Sequence, residues 1–357
     1  MDHQLRRAAL AARLSELQVD AILVTRLPNV RYLTGFTGSN GQALVANQET
    51  VFLTDGRYDE RSRNEVLDVE RVASRDGLLG PLAEQCARLG VSRLGFEADD
   101  VSVQQHERLG AAMPAIELVP IGEEVERQRW VKDEEESELL RRAQAITDQA
   151  FDDVLERLSV GVTERQVALE LTNLLRRDGA DGPAFDPIVA FGENAAEPHH
   201  DPGHRVLEEG DVIKLDFGAL CAGYHADMTR TVAFGQPLSE LTKVYDIVRQ
   251  AQQAGIDTVR AGVTGAEVDD AARAVIEDAA YGDAFSHGLG HGVGLEIHEG
   301  PRLSHLSDDE LPAGAVVTVE PGIYLPGIGG VRIEDMVEIT EDGCRVIGTS
   351  PREFLEL

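Results

Sequence analysis

The sequence predicts an α+β protein in two parts, with a smaller α/β domain over residues 1–122 and a larger, pseudo-duplicated α+β domain over residues 123–357. Three observations carry this. The chain of 357 residues is long enough for about two domains at roughly 150 residues each. Short apolar runs alternate with helical patterns as far as Val119, after which the composition shifts at Glu123 to a charged stretch that continues to Glu136. Beyond it, the order of two helices and then a strand pair occurs twice, with little identity between the two halves.

Taken in order, apolar residues recur at helical spacing from Leu5 to Leu17, and Ala21-Ile22-Leu23-Val24 is an unbroken apolar run of strand length. Similar runs at 42–46, 50–54, 93–96 and 116–119 alternate with helical patterns near 78–89 and 102–112. In the second part the pattern gives helices at about 133–158 and 163–178, then a strand pair around 211–217 and 224–234. Helices at about 238–260 and 264–280 and a strand pair around 315–324 and 331–339 repeat that order.

Composition excludes several functions. With 33 Lys+Arg against 64 Asp+Glu the formal net charge is −31, which leaves no basic surface for a nucleic-acid backbone. No apolar stretch approaches the ~20 residues needed to span a bilayer. Met1 to Arg7 leads into an amphipathic helix without an apolar signal core, so a cytoplasmic location is expected. Cys86, Cys221 and Cys344 are scattered, with no CxxC spacing, and read as small core hydrophobes in a reducing compartment.

The chemistry lies in the second part. In Asp211-Val212-Ile213-Lys214-Leu215-Asp216-Phe217-Gly218 the period of two puts Asp216 on the face opposite Ile213, Leu215 and Phe217. Asp227 follows eleven residues later, a distance a wide hairpin can fold back. The second strand pair repeats this with Glu320 and Glu334, fourteen apart. Between the pairs lies a Gly-rich loop from Ser286 to Glu299 carrying His287, His291 and His298. Four buried like charges need cations beside them, and two divalent ions balance four carboxylates. Oxygen-rich ligation with one imidazole suits Mn²⁺, Co²⁺ or Zn²⁺, and a pair of such ions can generate a hydroxide near neutral pH while polarising a carbonyl. Taken singly, an Asp on a strand is usually a solvated residue and a His in a Gly-rich loop a hydrogen-bonding one; the case rests on all of them falling in two similar hairpins and one loop.

These motifs carry a resemblance. Asp216-Phe217-Gly218-Ala219, Asp227-Met228-Thr229-Arg230-Thr231, His287 to Gly294, Glu320-Pro321-Gly322-Ile323-Tyr324 and Arg332-Ile333-Glu334-Asp335 resemble the pita-bread metallopeptidases, which include methionine aminopeptidase, aminopeptidase P, prolidase and creatinase. The resemblance covers roughly residues 130–350. It implies the pita-bread fold and two divalent ions, most readily Mn²⁺, held by Asp216, Asp227, His291, Glu320 and Glu334, with Asp227 and Glu334 bridging and Glu320 taking the proton of the attacking water. It also implies substrate-side roles for His199, which the spacing to Asp216 favours over His200, for His287, and for His298 at the scissile carbonyl. Arg332, two residues before Glu334, would bind a substrate carboxylate or orient the acids; a structural ion pair is the other reading.

A separate N-terminal domain argues for the aminopeptidase P, prolidase and creatinase branch. Residues 29–41 and Thr54-Asp55-Gly56-Arg57-Tyr58 resemble aminopeptidase P more than prolidase, although Gly, Ser and Asn there also fit ordinary turn chemistry. The expected substrates are peptides with proline in second position, cut by an Xaa-Pro aminopeptidase. The alternatives are a prolidase that cuts Xaa-Pro dipeptides, a creatinase, and a catalytically inactive binding module, against which the five retained ligand positions speak. The family implies a homodimer or homotetramer.

Overall fold

The computed structural model describes residues 1–357 and divides the chain into two compact units, Met1–Arg129 and Trp130–Leu357. The first is an α/β unit whose six-stranded sheet runs Glu70–Ser74, Thr50–Asp55, Gly41–Ala46, Ala21–Val24, Arg93–Glu97, Glu117–Ile121. Ala21–Val24 is buried throughout, as its unbroken apolar run requires, and it pairs antiparallel with Gly41–Ala46 and parallel with Arg93–Glu97. The stretch 29–41 is not all turn: Leu27–Thr34 is a helix, started by Pro28 in its first turn and ended at Gly35, whose φ of 79° is the left-handed geometry glycine accepts.

The unit boundary falls after Arg129 and not at 122. Helix Glu124–Trp130 is charged, but its charges are not all solvated. Val125 is buried, the Asn29 amide donates to Glu126 at 2.6 Å, and Arg129 donates to the Asn29 carbonyl at 2.7 Å, so Glu124 to Arg129 pack with the first unit.

In the second unit the two helix pairs are Glu134–Leu155 with Glu164–Arg177 and Ser239–Thr258 with Gly265–Asp278. The repeat is structural. Gly161-Val162-Thr163 and Gly262-Val263-Thr264 precede the second helix of each pair, both glycines have positive φ, and both threonines cap their helix in a capping box. Each threonine also forms an isolated bridge to a later segment, Thr163 to Val206 and Thr264 to Glu310.

The expected strand pairs are interrupted. Val212–Phe217 pairs with Met228–Ala233, placing Asp216 opposite Thr229, while Val316–Val319 pairs with Asp335–Ile339. Asp227 lies in the gap between strands Tyr224–His225 and Met228–Ala233, Glu334 in the gap between Gly329–Arg332 and Asp335–Ile339, and Glu320 between Val316–Val319 and Gly322–Leu325. Chain leaving the ladder at these points frees those carboxylates to turn toward one centre. Buried Arg230 ties the two halves together, donating to the Thr229 and Glu334 carbonyls and pairing with Asp335 at 2.7 Å. No helix is long and apolar enough to cross a membrane.

Candidate metal and active site

The Gly-rich loop, both strand pairs and the 185–202 segment wall a cavity of about 730 Å³, within the size range of small-molecule sites. Asp216, Asp227, His291, Glu320 and Glu334 all line it. Ligand atoms of Asp227, His291 and Glu334 lie within 4.8 Å of one another. Glu320 joins them, its Oε1 3.3 Å from His291 Nε2, which is also 3.6 Å from Asp227 Oδ2.

Four of the five candidate ligands are held by a second contact. His291 Nδ1 lies 3.0 Å from the Gly292 carbonyl oxygen and donates to it, which turns Nε2 toward the acids. Thr318 donates to Glu320 at 3.2 Å, and Thr229 to Glu334 at 2.6 Å. Asp216 is paired with Arg332, and its other oxygen is buried with no hydrogen-bond partner. Arg332 therefore offsets part of the charge of the four acids.

The electrostatics separate the acids. Burial, then the neighbouring Glu334, Asp216 and Glu320, push the Asp227 carboxyl well above the usual carboxylate range. Burial with Glu320 and Asp216 does the same to Glu334, and burial raises Asp216 against the pull of Arg332. Burial works to raise Glu320 also, but the contact with His291 and the charges of His287 and Arg332 hold it down at about 2. A buried orphan oxygen on Asp216, acids destabilised by one another and an imidazole with Nε2 turned toward them are the donor set that divalent ions complete.

Among the histidines expected on the substrate side, His199 and His298 line the cavity with no hydrogen bond to either ring. His200 is held between Glu197 and Glu164 at 2.7 and 3.0 Å, in keeping with the spacing argument for its neighbour. His298 stacks its edge on His291, ring centroids 4.3 Å apart, and burial lowers its pKa. His287 also lines the cavity, with its Nδ1 against the Gly288 carbonyl and its Nε2 against the Tyr324 hydroxyl, each at 2.8 Å.

Arg332 is likewise engaged. It donates to Thr229, to the Pro198 carbonyl and to Tyr324 besides pairing with Asp216, and only 3% of it is exposed. It has the acid-orienting position, with four of its five N–H donors engaged in these contacts. The cavity is also lined by a second cation, Arg302, on strand Glu299–Leu303, which is exposed and without an ion pair. Sequence reading missed Arg302, four residues after His298, and also Lys214, whose place two residues before Asp216 on an apolar strand was a usable signal.

Residues 138–341 match the model of metallopeptidase family M24, and residues 6–131 that of the creatinase/prolidase N-terminal domain. The chain is similar to a solved Xaa-Pro dipeptidase from Bacillus anthracis, at 40% identity with a TM-score of 0.97 over 100% of both chains. It is 34% identical to a Xaa-Pro dipeptidase from Pyrococcus horikoshii, over 94% of this chain and 95% of that relative. It also resembles an X-Pro aminopeptidase structure from Thermotoga maritima, at 38% identity with a TM-score of 0.89, over 97% of this chain and all of the other.

Proposed function

The chain belongs to metallopeptidase family M24, and from that premise we propose that it is a Xaa-Pro dipeptidase, so that the prolidase alternative takes precedence over the aminopeptidase expectation. The observation that carries this is Arg302. A dipeptide ends in a carboxylate one residue past the scissile bond, and Arg302 is an unpaired guanidinium on the wall of the same cavity as the ligand set. The relatives named as Xaa-Pro dipeptidases support the same choice.

Two divalent ions, held by Asp216, Asp227, His291, Glu320 and Glu334, would supply a water nucleophilic at neutral pH and polarisation of the scissile carbonyl. Glu320, the acid kept ionised, is the acceptor for the attacking water's proton. His298, neutral because burial lowers its pKa, hydrogen-bonds the scissile carbonyl oxygen as charge develops there, and His199 faces it from the 185–202 wall. Arg302 fixes the proline carboxylate by charge-assisted hydrogen bonds. Proline at the cleaved bond lacks the amide hydrogen that general peptidases use. The proposal keeps Mn²⁺ as the ion, the cytoplasm as the location and a homodimer or homotetramer as the assembly.

The test is hydrolysis of Xaa-Pro against Xaa-Pro-Xaa by the Mn²⁺-loaded protein. Efficient dipeptide cleavage is expected, and Arg302→Ala should raise KM for Xaa-Pro by about 10–100-fold while leaving a C-terminally amidated Xaa-Pro unaffected. Efficient tripeptide cleavage with little on the dipeptide would restore the aminopeptidase reading, which the Thermotoga maritima structure favours.

A further inference from the structure

We infer that Glu164 and Lys214, neither of which lines the cavity, are positioning residues that clamp the 191–203 segment, one through its donors and the other through its carbonyls, and so fix where His199 stands; the inference rests on the substrate-side role proposed for His199. The ring of His199 makes no hydrogen bond, so its place is set by the backbone on either side of it. That backbone is held by two fully buried ionisable side chains with complementary chemistry. The Glu164 carboxylate accepts from the segment's donors: Phe191 N–H at 2.9 Å, the Asn194 amide at 2.9 Å, Gly203 N–H at 2.9 Å and His200 Nε2 at 3.0 Å. The Lys214 Nζ donates to its acceptors, the carbonyls of Ala195 at 3.3 Å, Glu197, and Pro198 at 3.2 Å.

The two clamps divide the segment by polarity. Three carbonyls meet the Lys214 Nζ as a donor, and four donors meet the Glu164 carboxylate, which has acceptors only. Between Gly192 and Gly203 the chain passes through a short 3₁₀ turn, Gly192–Ala196, which has no sheet partner of its own to fix it. The clamp also reaches the hydrogen-bonded groups that line the cavity near the acids. Pro198 shares its carbonyl with Arg332 at 3.2 Å, and Lys214 Nζ lies 5.3 Å from the centre of the Tyr324 ring, whose hydroxyl bridges Arg332 and His287. Lys214 stands on the strand that carries Asp216, so one strand sets an acid of the metal site and the histidine facing it.

The experiment is a double-mutant cycle on the Mn²⁺-loaded full chain with two readouts. Lys214→Met and Glu164→Gln are each expected to lower kcat for the cleaved peptide by about 10–100-fold, the scale of an ångström-level displacement of a reacting group, with metal content unchanged. In the His199→Ala background the same substitutions are expected to change kcat by less than about 2-fold, because their route to the reaction is gone. Backbone hydrogen exchange, which needs no substrate, is expected to quicken at least about tenfold across residues 191–203 and to stay unchanged across 286–299. Glu164→Gln keeps an acceptor oxygen and all surrounding volume, so it stands in if Lys214→Met does not fold. A full additional loss in the His199→Ala background, loss of metal in proportion to activity, or unchanged exchange in 191–203 overturns the inference. Because exchange reads the clamp without any peptide, failure of the dipeptidase reading and failure of this one are separate observations.

Discussion

The two halves of the catalytic unit use one backbone device and diverge at the residue that follows its cap. Gly161 and Gly262 donate to the carbonyls of Leu207 and Leu311, and Leu207 and Leu311 donate back to Val162 and Val263. The next residues after the caps are Glu164 and Gly265, whose amides bond Arg205 and Asp309. Glu164 sends its carboxylate into the 191–203 segment. At Gly265 no side chain is possible, since a Cβ would come within 2.0 Å of the Arg302 carbonyl oxygen. One half spends a buried charge to hold a loop, and the other omits a side chain to admit the strand that carries Arg302. A symmetric scaffold thereby yields an asymmetric site, with two acids from each half but His291, His298 and Arg302 from the second half alone.

The largest expected effect tests whether the halves meet at ions. Chelation should abolish turnover and Mn²⁺ or Co²⁺ restore it; full activity in protein shown to be metal-free by elemental analysis breaks the picture. Glu320→Gln removes a ligand charge and the proton acceptor together, and kcat should fall by about 10³-fold or more. Activity near that of the unsubstituted protein would mean that the second half supplies no such acceptor.

Smaller effects address the matching position itself. Gly265→Ala drives a methyl into backbone and should cost about 3 kcal/mol, read as a lowered urea midpoint. Unchanged stability would mean that the Arg302 strand moves freely. Stability against pH should carry opposite signs in the two halves of metal-free protein. Glu164 is pulled down, against the effect of its burial, by its four hydrogen bonds, so it stabilises above its ordinary value of 4.5 and loses this as pH falls through the lowered pKa. Glu334 is raised above 4.5 by burial, so its ionisation costs stability increasingly as pH rises above 4.5. Glu164→Gln should thus melt lower than the unsubstituted protein at neutral pH, and Glu334→Gln higher, with the latter's advantage vanishing as pH falls toward 4.5. Equal pH dependence of the two variants would cancel the contrast. The smallest effects are at the caps, where Thr163→Ala and Thr264→Ala should each cost about 1 kcal/mol, equal in both halves.

The sequence by itself determined the α+β class, the order of helices and strand pairs, and which acids and histidines could be ligands, because helical and strand periods and ligand spacing are local properties of the chain. Leu5–Leu17 and Ala21–Val24 needed only their own residues to be recognised. Tertiary structure decided what each charged side chain does, because that depends on which partner arrives from far along the chain. Arg332 orients Asp216 since Thr229, 103 residues away, and Tyr324 and Pro198 hold its guanidinium through three further donors. Arg302 faces the cavity because Gly265, distant in sequence, gives its strand room. The charged run from Glu123 looked solvated until Asn29 supplied partners for Glu126 and Arg129. Asp227, Glu320 and Glu334 sit where strands break, and a period of two continues through such a break unseen, because only long-range hydrogen bonds reveal where a ladder stops.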